Sequence, residues 1–299
     1  MARRKSLTPL LPRRSLLGAL ASVGATAIAG DASAAAGPGV RLSGRARQGG
    51  TLIGRTRPGS RVQLDGEDIG PASASGLFLV GLDRDSPLSL ELAITDPEGR
   101  MAVRRLQAAP GDFDVQRIDG LPPQQVQPEG DELLDRIAAE ADRKAKGWAS
   151  RADSEDFAGG FSRPLRRFRL SGRFGGQRVL NGRPMAPHYG ADLAAPEGAP
   201  ILAPAPGRVS FAETGLHFEG GLTMIDHGQG LVTAYLHQSE VRVREGQMVE
   251  RGQVIGLVGQ EGRATGPHLC WRMKWRDRRL DPMLLLGVRA PYAFGFRRR

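Results

Sequence analysis

The chain has a single cysteine among its 299 residues, and this scarcity excludes two classes of protein. An internal disulfide needs two cysteines, so a fold held by disulfides is excluded. The cysteine lies at position 270, far from the amino terminus, so we expect no lipid-anchored lipoprotein. Cys270 is therefore expected to be buried, bound to a metal or open to oxidation.

Aromatic residues and long apolar runs are also scarce. Phe, Trp and Tyr make up 5% of the chain, whereas it contains 41 glycines and 21 prolines. This composition favours short strands and turns over long helical bundles. The apolar run LLGALASVGATAIAG is shorter than the roughly 20 residues that a membrane-spanning helix needs, and no other segment competes with it. We therefore predict no stable membrane anchor once a leading segment is removed.

Positive charge exceeds negative charge, giving a formal net charge of +10. Such a balance suits a polyanionic partner, which includes nucleic acid, an anionic membrane and an anionic envelope polymer. A solvated basic surface explains the charge equally well. Charge alone does not choose among these interpretations. Part of the charge comes from basic residues at the two ends: Arg3, Arg4, Lys5, Arg13, Arg14, Arg297, Arg298 and Arg299.

Residues 1–36 have the pattern of an export signal, with a basic start, a weakly apolar run and a string of small residues. Arg13 and Arg14, followed by Ser-Leu-Leu, resemble a twin-arginine signal, and an ordinary secretory signal with two chance arginines is the alternative. Either signal predicts a location in the periplasm or the extracellular envelope of a bacterium. That location argues against nucleic acid as a partner.

Hydrophobic periodicity predicts a mainly β protein. Short alternating segments and turn signals predict a small β-sandwich-like domain over 39–110, without a catalytic cluster. Residues 111–165 form a predicted linker with one amphipathic helix of about 18 residues, in DELLDRIAAEADRKAKGWA. Strand signals return over 166–290, where the glycine density indicates tight turns. A basic tail, 291–299, completes the predicted organisation.

Residues that bind metals and transfer protons gather in this last strand-rich region. His268 and Cys270 alternate in HLCWRM, so a strand would present an imidazole and a thiol on one face. HYGAD adds His188 and Asp192, and TAYLH adds His237. Imidazole, thiolate and carboxylate are common zinc ligands, and a catalytic zinc keeps three protein ligands and one open position. Two further histidines could transfer protons, so these residues fit a zinc hydrolase.

Other residues of the region have simpler explanations. Without its neighbours, Cys270 would be read as a small buried hydrophobic residue. His227, in IDHGQG, is predicted to make a structural hydrogen bond in a turn, and His217 is predicted to lie at the surface. Trp271 faces away from Cys270 along the strand and is assigned to the core. Arg263 lies in a loop that suits an anionic substrate, with a solvated arginine as the alternative.

Three separated motifs occur in a recognisable order. HYGADLAAPEGAPILAPAPGRV is followed by DHGQGLVTAYLH and then by VREGQMVERGQVIGLVGQEGRATGPHLCWRM. In order, spacing and glycine framework, the region over residues 166–286 resembles the LytM or lysostaphin-type peptidoglycan zinc metalloendopeptidases. The resemblance implies an antiparallel β domain with a groove floored by the sheet, a Zn²⁺ cofactor and peptidoglycan as the partner.

The same resemblance implies a role for each candidate residue. His188 and Asp192 would be metal ligands, and His237 and His268 would be catalytic histidines. Cys270 stands where the family has its third ligand, a histidine. A cysteine can hold zinc, so an exported endopeptidase, with activity reduced by the thiolate, is the leading hypothesis. The alternative is a catalytically degenerate domain that binds cell wall or activates a separate amidase, with division proteins as further candidate partners.

Overall fold

The computed structural model describes residues 37–293, so the predicted export signal and the tail from 294 onward lie outside the described residues. The amino-terminal part consists of two small antiparallel sheets, one ordered β1-β2-β5 and the other β4-β3-β6-β7. This arrangement confirms the mainly β, sandwich-like prediction. Its strands are β1 Arg41–Gly44, β2 Thr51–Arg55, β3 Arg61–Leu64, β4 Glu67–Pro71, β5 Leu77–Gly81, β6 Ser89–Thr95 and β7 Met101–Gln107.

The middle of the chain contains one strand and two α-helices: β8 Val115–Ile118, α1 Pro123–Val126 and α2 Asp131–Trp148. A short 3₁₀ helix follows at Asp156–Gly159. Within residues 37–293, no helix combines the length and the apolar character that crossing a bilayer requires. Helix α2 has 18 residues and lies where the periodicity predicts a helix. It is rich in good helix formers and begins with two acidic residues, which suit the positive end of the helix dipole.

Helix α2 is not buried mainly through the apolar residues that recur at helical spacing in its sequence. Leu134 is 46% exposed, whereas Gly147 and Glu140 are buried. A Cβ atom on Gly147 would lie 2.8 Å from Cβ of Phe211, so the missing side chain lets the helix approach the sheet closely. Glu140 accepts a hydrogen bond from the backbone nitrogen of His217 at 2.9 Å. The helix is therefore held by a close approach and polar contacts rather than by a stripe of large apolar residues.

The carboxy-terminal part is built on a ten-stranded sheet whose main path is β17-β14-β15-β16-β19-β12-β9, with every pairing antiparallel. Strand β18 pairs with both β13 and β16, and β20 pairs with β19. The strands are β9 Arg169–Gly172, β10 Gln177–Leu180, β11 Arg183–Pro184, β12 Ala191–Ala194, β13 Pro200–Leu202, β14 Gly207–Leu216, β15 Gly220–Asp226, β16 Leu231–Val241, β17 Met248–Val249, β18 Val254–Val258, β19 His268–Trp275 and β20 Arg278–Leu280. A final 3₁₀ helix occupies Pro282–Leu285.

A third small sheet, ordered β11-β10-β8, joins the predicted linker to the carboxy-terminal part. Strand β8 pairs in parallel with β10, so part of the segment 111–165 lies in a sheet beside the strand-rich region. The main hydrophobic core is likewise continuous across residues 37–293, because it contains residues of both the amino-terminal and the carboxy-terminal strands. Trp275, for example, is 2% exposed and lies against Gly81.

Candidate metal centre

Three adjacent strands bring the predicted site together on one face of the large sheet. Asp192 of β12 lies directly opposite Cys270 of β19, which in turn lies opposite Leu236 of β16. Residues directly opposite in a sheet point to the same face, and alternate residues of one strand share a face. His268 is therefore on the same side as Cys270, as the sequence predicts.

His188 reaches this face from the loop that precedes β12. The backbone fixes the loop, since Gly175 donates to the carbonyl of His188 at 2.7 Å and His188 donates to the carbonyl of Gly176 at 2.8 Å. Gly190 leaves space beside the cluster, because a Cβ atom there would lie 3.1 Å from Sγ of Cys270. The short loop thus places an imidazole next to the strand that carries the thiol.

His188, Asp192 and Cys270 form a buried cluster whose potential ligand atoms all lie within 4.8 Å of one another. Nε2 of His188 lies 3.2 Å from Oδ1 of Asp192 and 3.4 Å from Sγ of Cys270. Ligand atoms around a tetrahedral zinc are separated by about 3.4 Å, given bond lengths of about 2.0–2.3 Å. The spacing of the three groups therefore fits a metal ion of this size.

Two further observations favour a cation at this point. Among the described residues, Oδ1 of Asp192 is a buried oxygen that accepts no well-aligned hydrogen bond, although Nε2 of His188 lies 3.2 Å away. Burial would lower the pKa of His188, yet Asp192 and Cys270 override it and raise that pKa above its usual value. Burial would conversely raise the pKa of Asp192, but His188 and Arg178 hold it well below its usual range. The cluster thus stabilises positive charge, as a metal site must.

His237 and His268 stand beside the cluster with their ring centroids 4.7 Å apart. Nδ1 of His237 is 2.8 Å from the carbonyl of Glu261, and Nδ1 of His268 is 2.8 Å from the carbonyl of Gly266. A carbonyl only accepts, so each Nδ1 carries the proton and each Nε2 is left able to accept one. Nε2 of His268 lies 3.7 Å from Oδ1 of Asp192.

The surroundings of both histidines favour the neutral imidazole over the protonated one. Burial lowers the pKa of His237 to about 4. The pKa of His268 is also lowered, by burial first and by the neighbouring His237 second. Neutral imidazoles with a free Nε2 can act as proton acceptors, so these two histidines suit the proton-transfer role that the sequence predicts.

The position of His237 depends on an irregularity in the sheet. Strict alternation from Leu236 would direct His237 to the opposite face, away from Cys270. The pairing of β15 with β16 shifts register next to Gly221 and Gln238, and His237 has a positive φ of 66°. Such a bulge changes the direction of a side chain, and here it places His237 beside His268.

The family model described as Peptidase family M23 matches residues 186–282, the segment that carries all five predicted site residues. Residues 186–282 are an M23 domain. The resemblance to LytM-type proteins that the motifs predict is thereby confirmed.

Two named relatives are similar to about two fifths of the chain. The chain is 39% identical over 119 residues to the peptidoglycan DD-endopeptidase ShyA of Vibrio cholerae, covering 39% of this chain and 27% of that protein. It is 37% identical over 126 residues to the DD-carboxypeptidase/endopeptidase Mpg of Neisseria meningitidis, covering 42% of this chain and 29% of that protein. The chain therefore spans less than a third of the length of these relatives.

Among solved structures, a crystal structure described as a peptidase M23 protein from Pseudomonas aeruginosa has a TM-score of 0.61 and 27% sequence identity. The match covers 81% of this chain and 96% of that one. The similarity extends beyond the M23 domain and includes part of the chain that precedes it.

Two arginines contact the cluster of His188, Asp192 and Cys270, and the motifs did not reveal them. Arg178 of β10 donates a short hydrogen bond to Oδ2 of Asp192, which leaves Oδ1 directed towards His188. Nε of Arg272 lies 3.5 Å from Sγ of Cys270. Alternation along β19 could have identified Arg272, since it lies two residues beyond Cys270. No sequence signal identifies Arg178, because its approach depends on how β10 lies in the fold.

The remaining histidines of the M23 domain have structural surroundings. His227 is fully buried, with Nδ1 2.6 Å from the carbonyl of Pro206 and Nε2 2.8 Å from Oγ1 of Thr233. These contacts agree with the structural hydrogen bond predicted for it. His217 is half-buried beneath α2 rather than at the surface, because its backbone is bound by Glu140. Trp271 is fully buried, as predicted.

Two pockets flank the cluster of His188, Asp192 and Cys270. One, of about 410 Å³, is lined by Asp192, His268 and the loop that contains Arg263. The other, of about 350 Å³, lies on the side of His188 and is lined by Tyr189 and by Trp148 at the end of α2. Arg178 and Arg263 line both pockets, so the two form a cleft that passes the cluster.

Proposed function

We propose that the chain is an exported zinc metalloendopeptidase that hydrolyses peptide bonds of peptidoglycan during cell-wall remodelling. The observation that carries this proposal is the convergence of His188, Asp192 and Cys270, next to the paired rings of His237 and His268, in a cleft. The names of the relatives ShyA and Mpg, both peptidoglycan or DD-peptide hydrolases by their descriptions, support the choice of substrate.

Nε2 of His188, a carboxylate oxygen of Asp192 and Sγ of Cys270 would hold the metal. Bound zinc supplies a Lewis acid that lowers the pKa of water and polarises a carbonyl group. Arg178 orients Asp192 by binding its second oxygen, as outer groups around metal sites commonly do. The thiolate of Cys270 brings more negative charge than an imidazole would and makes zinc a weaker Lewis acid. We therefore expect slower turnover than in a site with a histidine at position 270.

His237 and His268 would perform the proton transfers. With each Nδ1 proton held by a backbone carbonyl, each Nε2 can accept a proton from the attacking water and later release it to the leaving amine. A protonated imidazole also stabilises the oxyanion that develops at the carbonyl under attack. The pair of rings at one end of the cluster therefore suits the hydrolysis of an amide bond.

An alternative is a degenerate M23 domain that binds cell wall or activates a separate envelope amidase. The contacts of Arg178 with Asp192 and of Arg272 with Cys270 favour it, because guanidinium groups can balance these two anionic ligands without a metal. Under this alternative, an amidase or a division protein would be the partner.

Zinc content and cleavage measured on the same samples test the proposal. Purified protein should contain about one zinc per chain and release peptides from purified sacculi, as detected by mass spectrometry. His188→Ala and Asp192→Asn should lose both zinc and products, whereas Asp142→Asn, which removes an exposed carboxylate of α2, should retain both. Tight binding to sacculi with neither zinc nor products would support the degenerate alternative.

A further inference from the structure

The pocket next to His188 has an unusual charge. Its volume is about 350 Å³, and no aspartate or glutamate lines it. Five cationic side chains line it together with His188: Arg178, Arg263, Arg272, Lys274 and Arg279. A concave site lined by cations and free of acidic groups concentrates positive potential where a ligand would bind.

Most of this charge is not neutralised by the protein. Arg178 is paired with Asp192, and Arg272 contacts the thiol of Cys270. Among residues 37–293, no carboxylate lies within 4.0 Å of the side-chain nitrogens of the other three cations, Arg263, Lys274 and Arg279.

Aromatic rings contact all three cations, and Arg263 also donates a hydrogen bond from Nη1 to the carbonyl of Gln125 at 3.1 Å. The guanidinium of Arg263 lies 4.7 Å from the ring centroid of Phe218, and that of Arg279 lies 4.5 Å from the ring of Tyr189. Nζ of Lys274 lies 5.3 Å from the ring of Trp148. A ring face orients a cation without cancelling its net charge, so the side chains remain available to an anion.

The cations are also costly to hold together. Burial lowers the pKa of Arg263, and the charges of Arg272 and Arg178 lower it further. Burial and then the charge of Arg279 lower the pKa of Lys274 in the same way. Arg263 and Lys274 are half-buried. Fully solvated basic residues would not have their pKa values lowered in this way. An anionic ligand in the pocket would relieve the repulsion.

We infer that this pocket binds a free carboxylate of the substrate peptide, close to the bond that is cut. The inference rests on the proposed function, and it assigns a substrate class: stem peptides whose carboxyl groups are free rather than amidated. Guanidinium groups match the planar geometry of a carboxylate and bind it through two parallel hydrogen bonds. His188 lines this pocket, so a carboxylate bound in the pocket would also position the peptide next to the cluster of His188, Asp192 and Cys270.

A pair of synthetic stem peptides tests the inference by direct binding. The two peptides are identical except that one has free carboxylates and the other has carboxamides in their place. By isothermal titration calorimetry, the parent chain should bind the carboxylate form about 10- to 100-fold more tightly, the range expected for a hydrogen bond to a charged group. Arg263→Gln and Arg279→Gln should each reduce that ratio by several-fold.

Arg244→Gln is the matched control, because Arg244 is exposed and does not line this pocket. It removes the same charge and should leave the ratio of the two affinities unchanged. Zinc content is made equal in all samples, so that any binding of the peptide carboxylate to zinc contributes equally to every measurement. Since Arg279 is exposed, its replacement should not impair folding. Equal affinity of the parent for both peptides, or an unchanged ratio in Arg263→Gln and Arg279→Gln, would overturn the inference.

Cleavage of sacculi, measured in parallel, separates this inference from the proposed function. Selective binding of the carboxylate peptide without release of products would support the pocket and contradict the hydrolase. Cleavage of sacculi by a parent that binds both peptides equally would support the hydrolase and contradict the pocket.

Discussion

Sγ of Cys270 lies 3.4 Å from Nε2 of His188, although 82 residues separate them in the chain. Cys270 is 1% exposed and His188 is 3% exposed, so neither group is open to solvent. A thiol that only filled space in the core would not need an imidazole beside it. The contact therefore places Cys270 in a buried polar cluster whose atoms could hold a metal ion.

Replacement of Cys270 distinguishes a ligand from a packing residue. Cys270→Ala should weaken zinc binding by more than about 100-fold, because even the loss of an outer partner of a zinc ligand costs about 10- to 100-fold. Cys270→His should retain zinc, with activity on sacculi equal to or above that of the parent. Zinc is measured by mass spectrometry after dialysis against a series of buffered zinc concentrations.

Leu269→Val is the control for Cys270, since Leu269 is fully buried on the opposite face of the same strand. It should lower the free energy of unfolding by about 1 kcal/mol and leave zinc binding intact. Zinc bound by Cys270→His but not by the parent would show that the parent is a degenerate domain.

Arg178 is expected to act as a positioning residue for Asp192. Arg178→Gln should weaken zinc binding about 10- to 100-fold, because Asp192 loses the partner that fixes its orientation. Arg173→Gln, a change at an exposed arginine nearby, should have no such effect. If Arg178→Gln binds zinc as tightly as the parent, Asp192 is oriented without it.

Gly190 is expected to be required for the approach of the loop to β19. A Cβ atom there would lie 2.8 Å from Cγ of Arg272 and 3.1 Å from Sγ of Cys270. Gly190→Ala should therefore displace the thiol and weaken zinc binding by about tenfold, in line with other disturbances around a ligand. Gly266→Ala is the matched control, since a Cβ atom there would have no neighbour within 4 Å. Equal zinc affinity in the two variants would contradict the prediction.

His227 should make the stability of the fold depend on pH. Burial lowers its pKa from 6.5 to about 4, so the unfolded chain takes up a proton first as the pH falls. The contribution of neutral His227 is fully present above about pH 6.5 and is lost as the pH falls towards 4. Between pH 7 and pH 5 the parent should lose about 2 kcal/mol more free energy of unfolding than His227→Gln does.

Urea denaturation of zinc-free protein at the two pH values measures this difference. The variant is less stable at pH 7, since it loses the contacts with Pro206 and Thr233, but its stability should change less with pH. The comparison cancels the titration of other groups, including Asp281, whose pKa burial raises to about 6. Parallel pH profiles for the parent and His227→Gln would refute the assignment.

Local patterns were sufficient to predict much of the fold and the composition of the cluster. Period-two alternation in HLCWRM predicted that His268 and Cys270 share a face, and the helical periodicity predicted α2. Both are properties of neighbouring residues, which the backbone geometry of a strand or helix fixes directly. The motifs HYGAD and TAYLH predicted His188, Asp192 and His237, each of which stands near a glycine or at the end of a strand.

The tertiary structure decided what depends on contacts between distant segments. Alternation alone would have turned His237 away from the site, and the bulge that brings it back is set by the pairing of β15 with β16. Arg178 reaches Asp192 only through the packing of β10, and the cationic pocket forms only where β10, β19 and the end of α2 meet. The sequence determined which chemical groups are present, whereas the registers between strands determined their distances and partners.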